Sequence, residues 1–573
     1  MAPNGMENTV TPPDRGIVSS TISRIRDRAL FVGIVFALLV WYLLIEFAYI
    51  GRLPLAPDEF TGAWEVHRLF SGMPYRDFHP YKTVVGYYLQ LPALEAFSDT
   101  WQAIMAVKFE MALLNAVLLG FAALRLRRHF RSGAILLGWI LLLCMSTFLE
   151  RSSDLRVDML TAGAGLLSLL DLLDRRYLRA GLFCALSFLI SQKGVYFAVA
   201  AESALLFAFL LDRSRRTFSD ALVFNGALAC GIAIYFGFWS IVAGPSAVFG
   251  STATPSHRMI ALENIYEIRL RFWMQTVVRN PFFYFATASG IITAAWHSFR
   301  PTKIHASRVL FPYVSVILAL SLWHRQPWPY FFVIPIPIFT VAAILAFDTM
   351  LHWRLRLARL TIPLFVAGFI LGGVFLPLAR VPVNLERSND FQRETVRLGE
   401  RLLIPGSAYL AGFDLLFRPT QAPASLRWLD ASKINSLHQL PADELGAIRE
   451  EIRAASILFL LLNYRIDALP EVIYSSLQTD YQRFTGNIVL YAPVVSGPRF
   501  VLKFAGEYLL ESPAPITIDG QVVQPGSTLT LAAGAHRADR GDFRLRFVPS
   551  YSFTPLERIE IEPQAFFPSI YDY

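Results

Sequence analysis

The chain carries a series of long apolar runs, and these runs constrain what it can fold into more than any other feature. They fall at residues 29–50, 103–124, 133–150, 158–173, 180–191, 194–211, 221–243, 281–298, 309–323, 329–350 and 360–381. A helix needs about 20 apolar residues to cross a bilayer. Several runs are shorter and 180–191 is the least secure, but together they predict about eleven membrane spans. With 54% hydrophobic and 17% charged residues, the chain is also too apolar for a soluble protein of this length.

Short basic clusters separate the runs and indicate the orientation of the chain. They lie at 24–28, 125–131, 175–179, 213–216, 300–308 and 354–359. Cytoplasmic loops are rich in Lys and Arg, and an N-terminus in the cytoplasm places all of these clusters on that side. The segment before the first run lacks a clear small-residue cleavage site, so we interpret that run as an uncleaved anchor. The net charge of +8 is thereby explained, and no nucleic-acid partner is expected.

The cysteines give no sign of a disulfide framework. Cys144, Cys184 and Cys230 all lie within apolar runs. Cysteine in such a position behaves as a small buried apolar residue. We therefore predict neither a disulfide nor a cysteine metal site.

The character of the chain changes near residue 382, and this divides it into domains. We predict a cytoplasmic tail at 1–28, a transmembrane domain at 29–381 and an extracytoplasmic soluble domain at 382–573. The run "ASILFLLLNYRIDALP" indicates a buried strand within an α/β unit at about 400–495. From Val501 onward, alternating residues between Gly and Pro turns predict a small β-sandwich. The predicted fold is thus a polytopic α-helical membrane protein of the plasma (bacterial inner) membrane with a mixed C-terminal domain.

Two of the predicted outer loops, 51–102 and 244–280, are long and contain amphipathic segments. Pro57 starts a segment whose apolar side chains are Phe60, Trp64, Leu69 and Phe70. This pattern favours a helix whose aromatic rings lie in the membrane interface. Residues 260–278 have a similar mixed character and are a second candidate for a surface helix.

Ionisable residues of both signs gather at the predicted outer ends of the spans. They are Asp58, Glu59, Lys82, Asp154, Arg156, Asp158, Lys193, His324 and Arg325. Such groups are costly to bury in a membrane and usually face a water-filled cavity. A carboxylate there can act as general base on a hydroxyl, while Lys and Arg can stabilise a phosphate leaving group. The pattern therefore suits transfer of a group from an anionic lipid.

Each of these residues also has a simpler interpretation. Asp58 and Glu59 follow Pro57, where carboxylates stabilise the first turn of a helix. The segment 154–158 fits a solvated loop, Lys193 fits a lysine that reaches the interface, and residues 324–325 fit a surface turn. Convergence of all four segments on one predicted side favours a shared site.

The order of several short motifs resembles a known group of membrane enzymes. "PDE", "GMPYRDF" with a later "YK", "RVD", "KG" and "PWPYFFVIPIP" occur in that order within residues 29–350. This order is similar to that of the GT-C membrane glycosyltransferases, in particular the protein O-mannosyltransferase and lipid A aminoarabinose transferase group. The C-terminal domain carries none of the resemblance.

The resemblance implies an inverting transfer of a sugar from a polyprenyl-phosphate donor to a hydroxyl of a lipid, glycan or protein. By position, Asp58 matches the catalytic base and Glu59 is its neighbour. Lys82 matches the loop lysine, and Arg156 and Asp158 match an R-x-D motif.

Two further matches lie nearer the middle of the chain. Lys193 matches a Lys-Gly motif near the donor phosphate. Tyr330 matches the tyrosine before the span with Pro335 and Pro337.

The chain also departs from the family pattern. Thr83 follows the loop lysine where a proline is common, Tyr81 precedes it where a carboxylate is common, and His324 stands where a lysine is common. These departures leave the phosphate contacts, the acceptor and a divalent metal cofactor open.

Two alternatives remain from the sequence. A multi-span transporter or flippase for a lipid-linked substrate should place its ionisable residues near the middle of the membrane, whereas here they gather at one end. A non-catalytic envelope scaffold would leave the charged set without a role. The absence of P-loop, GxGxxG and HExxH motifs argues against nucleotide-driven and zinc-hydrolase chemistry.

Overall fold

The structure is a computed structural model of the chain. It describes residues 15–80, 82–252, 266–300, 305–324, 328–352, 367, 383–417, 426–429, 431–553, 555–556 and 566–567. The predicted span at 360–381, apart from residue 367, and the candidate Arg325 lie outside the described residues.

The N-terminal two thirds of the described chain is helical. The helices are α1 (Arg15–Ile50), α2 (Pro57–Ser71), α3 (Val85–Tyr88), α4 (Leu91–Glu95), α5 (Thr100–Leu126), α6 (Ser132–Leu143), α7 (Ser146–Arg151), α8 (Asp158–Leu173), α9 (Tyr177–Ile190), α10 (Val195–Asp212), α11 (Arg215–Ala243), α12 (Tyr266–Arg279), α13 (Pro281–Ser298), α14 (His305–Trp323) and α15 (Ile336–His352), with 3₁₀ turns at Gln192–Gly194 and Pro329–Val333. Residues 245–252 are also helical.

Five of the described helical segments are long and apolar enough to cross a membrane: Arg26–Ile50, Thr100–Leu126, Gln192–Asp212, Arg215–Ala243 and His305–Trp323. Shorter apolar helices occur at Ser132–Leu143, Tyr177–Ile190 and Ile336–His352. The predicted run 133–150 is divided between α6 and α7, which end and begin around Cys144 and Met145. The chain is thus a mostly helical membrane protein, and the number of eleven spans stays a prediction.

The helices pack side by side and leave large apolar side chains exposed on several of them. Helix α9 packs between α8 and α11, and α13 packs against α15. Large apolar side chains of α11, such as Leu222, Ile234 and Phe238, remain exposed, as expected of a surface that meets lipid. All three cysteines are free, as predicted, but Cys230 is exposed and not buried, because α11 packs through its other face.

The C-terminal part combines helices with small sheets. Helices α16 (Val383–Leu402), α17 (Ala431–His438), α18 (Ala442–Ala454), α19 (Tyr464–Asp467) and α20 (Glu471–Asp480) accompany β1 (Ala408–Leu410), β2 (Ile457–Leu461), β3 (Tyr481–Thr485) and β4 (Ile488–Tyr491). These strands form a sheet in the order β1-β2-β4-β3, with β1 and β2 parallel and the other pairs antiparallel. The buried strand predicted in "ASILFLLL" is β2, whose five residues are all buried.

The strand-rich end follows the predicted β pattern. Its strands are β5 (Val494–Val495), β6 (Arg499–Leu502), β7 (Gly506–Glu511), β8 (Ile516–Ile518), β9 (Gln521–Val523), β10 (Thr528–Leu531), β11 (Gly534–Arg537) and β12 (Phe543–Val548). They pair as an antiparallel sheet β10-β7-β12-β5, a second antiparallel pair β11-β6, and a hairpin β8-β9. Buried and more exposed residues alternate along β12, as in a sheet with one covered face.

The C-terminal part lies directly on α2. The Gln392 amide accepts a hydrogen bond from the Leu55 backbone N–H at 2.8 Å and donates one to the Leu55 carbonyl at 3.0 Å. The ring of Phe60 lies 5.5 Å from that of Phe413 and 6.1 Å from that of Phe566. The prediction that this aromatic face lies in the membrane interface is therefore wrong for Phe60, because C-terminal rings cover it. The prediction of a helix beginning at Pro57 is confirmed.

Candidate active site

The two acidic residues at the start of α2 have different surroundings. Pro57 occupies the first turn, where its fixed backbone angle favours a helix start. The Glu59 side chain is only 1% exposed: its Oε1 accepts from Lys108 Nζ at 2.7 Å and from the Leu155 N–H at 3.1 Å. Its Oε2 accepts from the Ala56 N–H at 2.9 Å. Glu59 therefore links the start of α2 to Lys108 and Leu155.

Glu59 belongs to a buried ion network that we call the closed cluster. Its members are Glu59, Lys108, Arg151 and Asp154. Lys108 Nζ lies 3.6 Å from Asp154 Oδ1, and Arg151 Nη1 lies 3.7 Å from Asp154 Oδ2. Burial and the nearby charge of Glu59 raise the pKa of Asp154 to about 6. Burial would also raise the pKa of Glu59, but the adjacent Lys108 ammonium outweighs it and lowers that pKa.

A second network, the open cluster, is formed by Asp58, Lys82, Arg156, Asp158 and Lys193. Arg156 donates from Nη1 to Asp58 Oδ2 at 2.5 Å and from Nε to Asp158 Oδ2 at 3.0 Å. Lys193 Nζ donates to Asp158 Oδ1 at 2.7 Å. The Asp58 side chain is 37% exposed and that of Asp158 only 1%, so Asp58 is the carboxylate that a substrate can reach.

Tyr330 closes one side of the open cluster. The guanidinium carbon of Arg156 lies 3.5 Å from the centre of the Tyr330 ring, and Lys193 Nζ lies 5.3 Å from it. Contacts of this kind between a cation and an aromatic face are favourable and keep the cation oriented. The ring thus holds both cations on the same side as Asp58.

Close backbone packing brings the separate segments of the open cluster together. A Cβ on Gly194 would meet the backbone of Ser187 and Phe188 at 2.3 Å, so only glycine lets the turn with Lys193 pack onto the end of α9. A Cβ on Gly62 would lie 3.0 Å from the Leu155 carbonyl, next to Arg156. Gly194 therefore sets how near the turn with Lys193 comes to α9, and Gly62 sets how near the backbone before Arg156 comes to α2.

Lys82 reaches the open cluster from the first long loop. The loop is tied to α11 by Tyr235, whose hydroxyl lies 2.7 Å from that of Tyr75 and accepts from the Val84 N–H at 3.0 Å. Burial lowers the pKa of Lys82 to about 8; the charges of Arg156 and Lys193 add to this, and that of Asp158 opposes it. Lys82 therefore titrates near physiological pH.

Asp58 is ionised at neutral pH. Burial works against its charge, but the charge and hydrogen bond of Arg156 outweigh that effect, and Arg465 and Lys82 act in the same direction. The pKa of Asp58 consequently lies below its usual value. The carboxylate is thus present in the form that can accept a proton.

The charges of the open cluster fit an anion better than a divalent metal ion. Three cationic side chains face two carboxylates, and Arg156 and Lys193 already occupy oxygens of those carboxylates. Divalent cations such as Mg²⁺ need several free oxygen ligands. The described residues include no group of three or more His, Cys, Asp or Glu side chains placed to hold a metal. We derive no step through a metal.

Other predicted site residues lie apart from the open cluster. Asp154 is in the closed cluster, as described above. His324 stacks on Phe331 at 4.0 Å, and its Nδ1 lies 2.7 Å from the Tyr196 hydroxyl. Lys193 Nζ lies 5.8 Å from that same Phe331 ring. The Phe331 ring thus lies near both His324 and Lys193, and His324 packs next to the open cluster through this ring.

Sequence reasoning missed two residues. Lys108 lies within the apolar run 103–124, and an ionisable residue in such a run usually has a partner, so this signal was present. Arg465, in the C-terminal α/β unit, acts on the charge of Asp58. No local pattern around Arg465 indicates this, since it depends on how the C-terminal part lies on α2.

Comparison with known proteins gives structural but no sequence relatives. No protein-family model and no curated protein sequence matches the chain. The structure is similar to the apo oligosaccharyltransferase of Archaeoglobus fulgidus, with a TM-score of 0.48 and 13% identity over 87% of this chain and 76% of that one. It is also similar to ArnT from Cupriavidus metallidurans bound to undecaprenyl phosphate, with a TM-score of 0.43 and 16% identity over 64% of this chain and 72% of that one.

Both of these proteins are GT-C glycosyltransferases, the superfamily that the sequence resembles. Their TM-scores are below 0.5, so the similarity by itself supports no conclusion about reaction or substrate.

Proposed function

We propose that the chain is an inverting glycosyltransferase that moves a sugar from a polyprenyl-phosphate donor to a hydroxyl of a lipid, glycan or protein. Asp58 is the general base. The reaction takes place at the outer face of the plasma membrane, with 1–28 in the cytoplasm, 29–381 as the transmembrane domain and 382–573 outside. The transferred sugar is a hexose or a pentose, and residues other than the charged cluster select it.

One observation carries the proposal: a reachable carboxylate lies beside a surplus of positive charge. Asp58 is the exposed carboxylate of the open cluster, and Lys82, Arg156 and Lys193 outnumber its two carboxylates. A phosphate group with a departing negative charge is the ligand that such a set of cations stabilises. A hydroxyl beside Asp58 is the group that such a carboxylate activates.

The chemistry follows from these roles. The acceptor oxygen forms a bond to the anomeric carbon of the sugar while the bond from that carbon to the phosphate oxygen breaks. The electron pair of the broken bond stays on the phosphate, where Lys82, Arg156 and Lys193 balance the charge. The hydroxyl proton moves to Asp58. Because this is a single direct displacement, with attack from the face opposite the phosphate, it inverts the anomeric centre.

The position of the cluster favours this enzyme over a transporter. Asp58 lies on α2 and Arg156 in the segment between α7 and α8, both outside the five long apolar helices. Lys193 lies at the first turn of its helix, at one end of that span. Groups at the end of the spans suit chemistry at the membrane surface, whereas a carrier places its binding groups at mid-membrane.

The test replaces Asp58 by Asn and uses Asp77→Asn as the matched control. Asp77 lies in the same loop but pairs with Arg76 at the surface, away from the open cluster. Purified protein is given a panel of radiolabelled polyprenyl-phosphate hexoses and pentoses, with membranes of a strain lacking the gene as acceptor. We expect Asp58→Asn to lower transfer by about 10²–10⁴-fold and Asp77→Asn to leave it unchanged. Full transfer by Asp58→Asn would overturn the assignment of the base.

A further inference from the structure

Arg465 is a buried cation that forms no ion pair with any residue that the structure describes. The residue is 5% exposed and follows β2 in the C-terminal α/β unit. Its Nε donates to the Tyr464 hydroxyl at 3.1 Å and its Nη1 to the Gly412 carbonyl at 3.2 Å. Its guanidinium also lies 4.3 Å from the centre of a Trp428 ring. All of these partners are neutral, and no ion pair to Arg465 occurs among the described residues.

A buried charge without a counter-ion is costly, so such an arginine normally serves a ligand or a partner. Arg465 is preorganised for this task because Trp428 and the two hydrogen bonds fix its planar fork. The guanidinium presents paired donors that match a carboxylate or a phosphate.

The fold places Arg465 beside the open cluster. Strands β1 and β2 are parallel, and Gly412 and Arg465 follow their carboxyl ends. Ligands of α/β units commonly bind beyond that edge. Phe413, next to Gly412, packs on Phe60, two residues from Asp58. The carboxyl edge of the sheet therefore faces the start of α2.

Arg465 approaches from the C-terminal part, whereas Lys82, Arg156 and Lys193 come from the helical part. Asp58 is the member of the open cluster whose charge Arg465 influences. The three helical cations all act on the charge of Asp158. Under the proposed function they bind the donor phosphate, which leaves Arg465 as the cation for the acceptor.

We propose that Arg465 binds a negatively charged group, a phosphate or a carboxylate, of the acceptor next to the hydroxyl that Asp58 deprotonates. This inference rests on the proposed function and adds the class of acceptor to it: a hydroxyl compound with an anionic group close by. The C-terminal part of the chain then takes part in choosing the acceptor and does not act only as a cover.

The test varies donor and acceptor separately. Transfer is measured with polyprenyl-phosphate sugar at fixed acceptor membranes, and with increasing acceptor membranes at fixed donor. We expect Arg465→Gln to raise the amount of acceptor membrane needed for half-maximal transfer by about tenfold or more, with little change for the donor. Arg465→Lys keeps the charge and should lie between wild type and Arg465→Gln.

Arg449→Gln is the matched control, because Arg449 lies in the same unit and pairs with Glu450 at the surface; it should behave as wild type. A second measurement does not depend on any variant: the labelled product, once separated from the donor, should be retained on an anion exchanger. A neutral product, or an effect of Arg465→Gln on the donor alone, would overturn the inference while leaving the proposed function intact. Absence of transfer by the wild-type protein from every donor would instead refute the proposed function.

Discussion

The open cluster and the closed cluster begin at adjacent residues, Asp58 and Glu59, yet they differ in charge balance and in access. In the closed cluster two carboxylates face two cations, and every member is buried. In the open cluster three cations face two carboxylates, and Asp58 can be reached. A balanced, buried network is what a scaffold requires, whereas a surplus of positive charge beside an exposed carboxylate is what an anionic substrate requires. Under the proposed function, one short acidic motif therefore serves both structure and chemistry.

A substitution of Arg156 should affect the open cluster most, because Arg156 joins both of its carboxylates to Tyr330. We expect Arg156→Gln to lower transfer by about 10²–10³-fold, because the phosphate loses a cation and Asp58 loses the group that orients it. Transfer of radiolabelled sugar into acceptor membranes measures the effect. Thermal unfolding in detergent should show that the variant is folded. Near-normal transfer by a folded Arg156→Gln protein would place the donor phosphate elsewhere.

Substitutions in the closed cluster should lower the stability of the protein and leave the rate of transfer unchanged. Lys108→Met leaves Glu59 buried without its cation, and loss of one partner of a buried pair costs about 3–5 kcal/mol of unfolding free energy. The side chains of both residues are at most 4% exposed, so water cannot replace the contact. Thermal and denaturant unfolding measure the loss, and transfer per folded molecule should stay near that of wild type.

The double variant Lys108→Met with Glu59→Gln provides the control for this prediction. It removes both charges, so part of the lost stability should return. If Lys108→Met instead abolished transfer and left unfolding unchanged, the closed cluster would belong to the catalytic site.

The sequence indicated for a physical reason that Asp58, Arg156 and Lys193 lie near one another. Each stands near the end of a predicted apolar run, and alternation of such runs across a membrane would bring these ends to one side. Their convergence could thus be inferred without any contact being known. The pattern does not show which of the two neighbouring carboxylates is exposed, because that depends on the direction in which the side chains of Asp58 and Glu59 leave α2.

Local sequence patterns do not predict where the C-terminal part lies on the helical part. Phe60 is one of several aromatic residues on an amphipathic segment, and such a segment fits a membrane interface as well as a protein interface. Only the tertiary structure shows that Phe413 and Phe566 cover that face. The role of Arg465 was hidden for the same reason, since its neighbours in the sequence are those of an ordinary strand end.

The smallest expected effect concerns pH and distinguishes Lys82 from the other cations. Because the pKa of Lys82 is lowered to about 8, its ammonium is charged below that pH and loses its proton as the pH rises through it. Since the pKa of Asp58 is below its usual value, the base stays ionised over this whole range. We expect kcat/KM for the donor to fall several-fold above about pH 8, because a neutral Lys82 no longer attracts the phosphate. Lys82→Arg should keep its rate to higher pH, since arginine remains protonated up to about pH 12. An identical decline in wild type and Lys82→Arg would show that another group sets the alkaline limit and that Lys82 does not contact the phosphate.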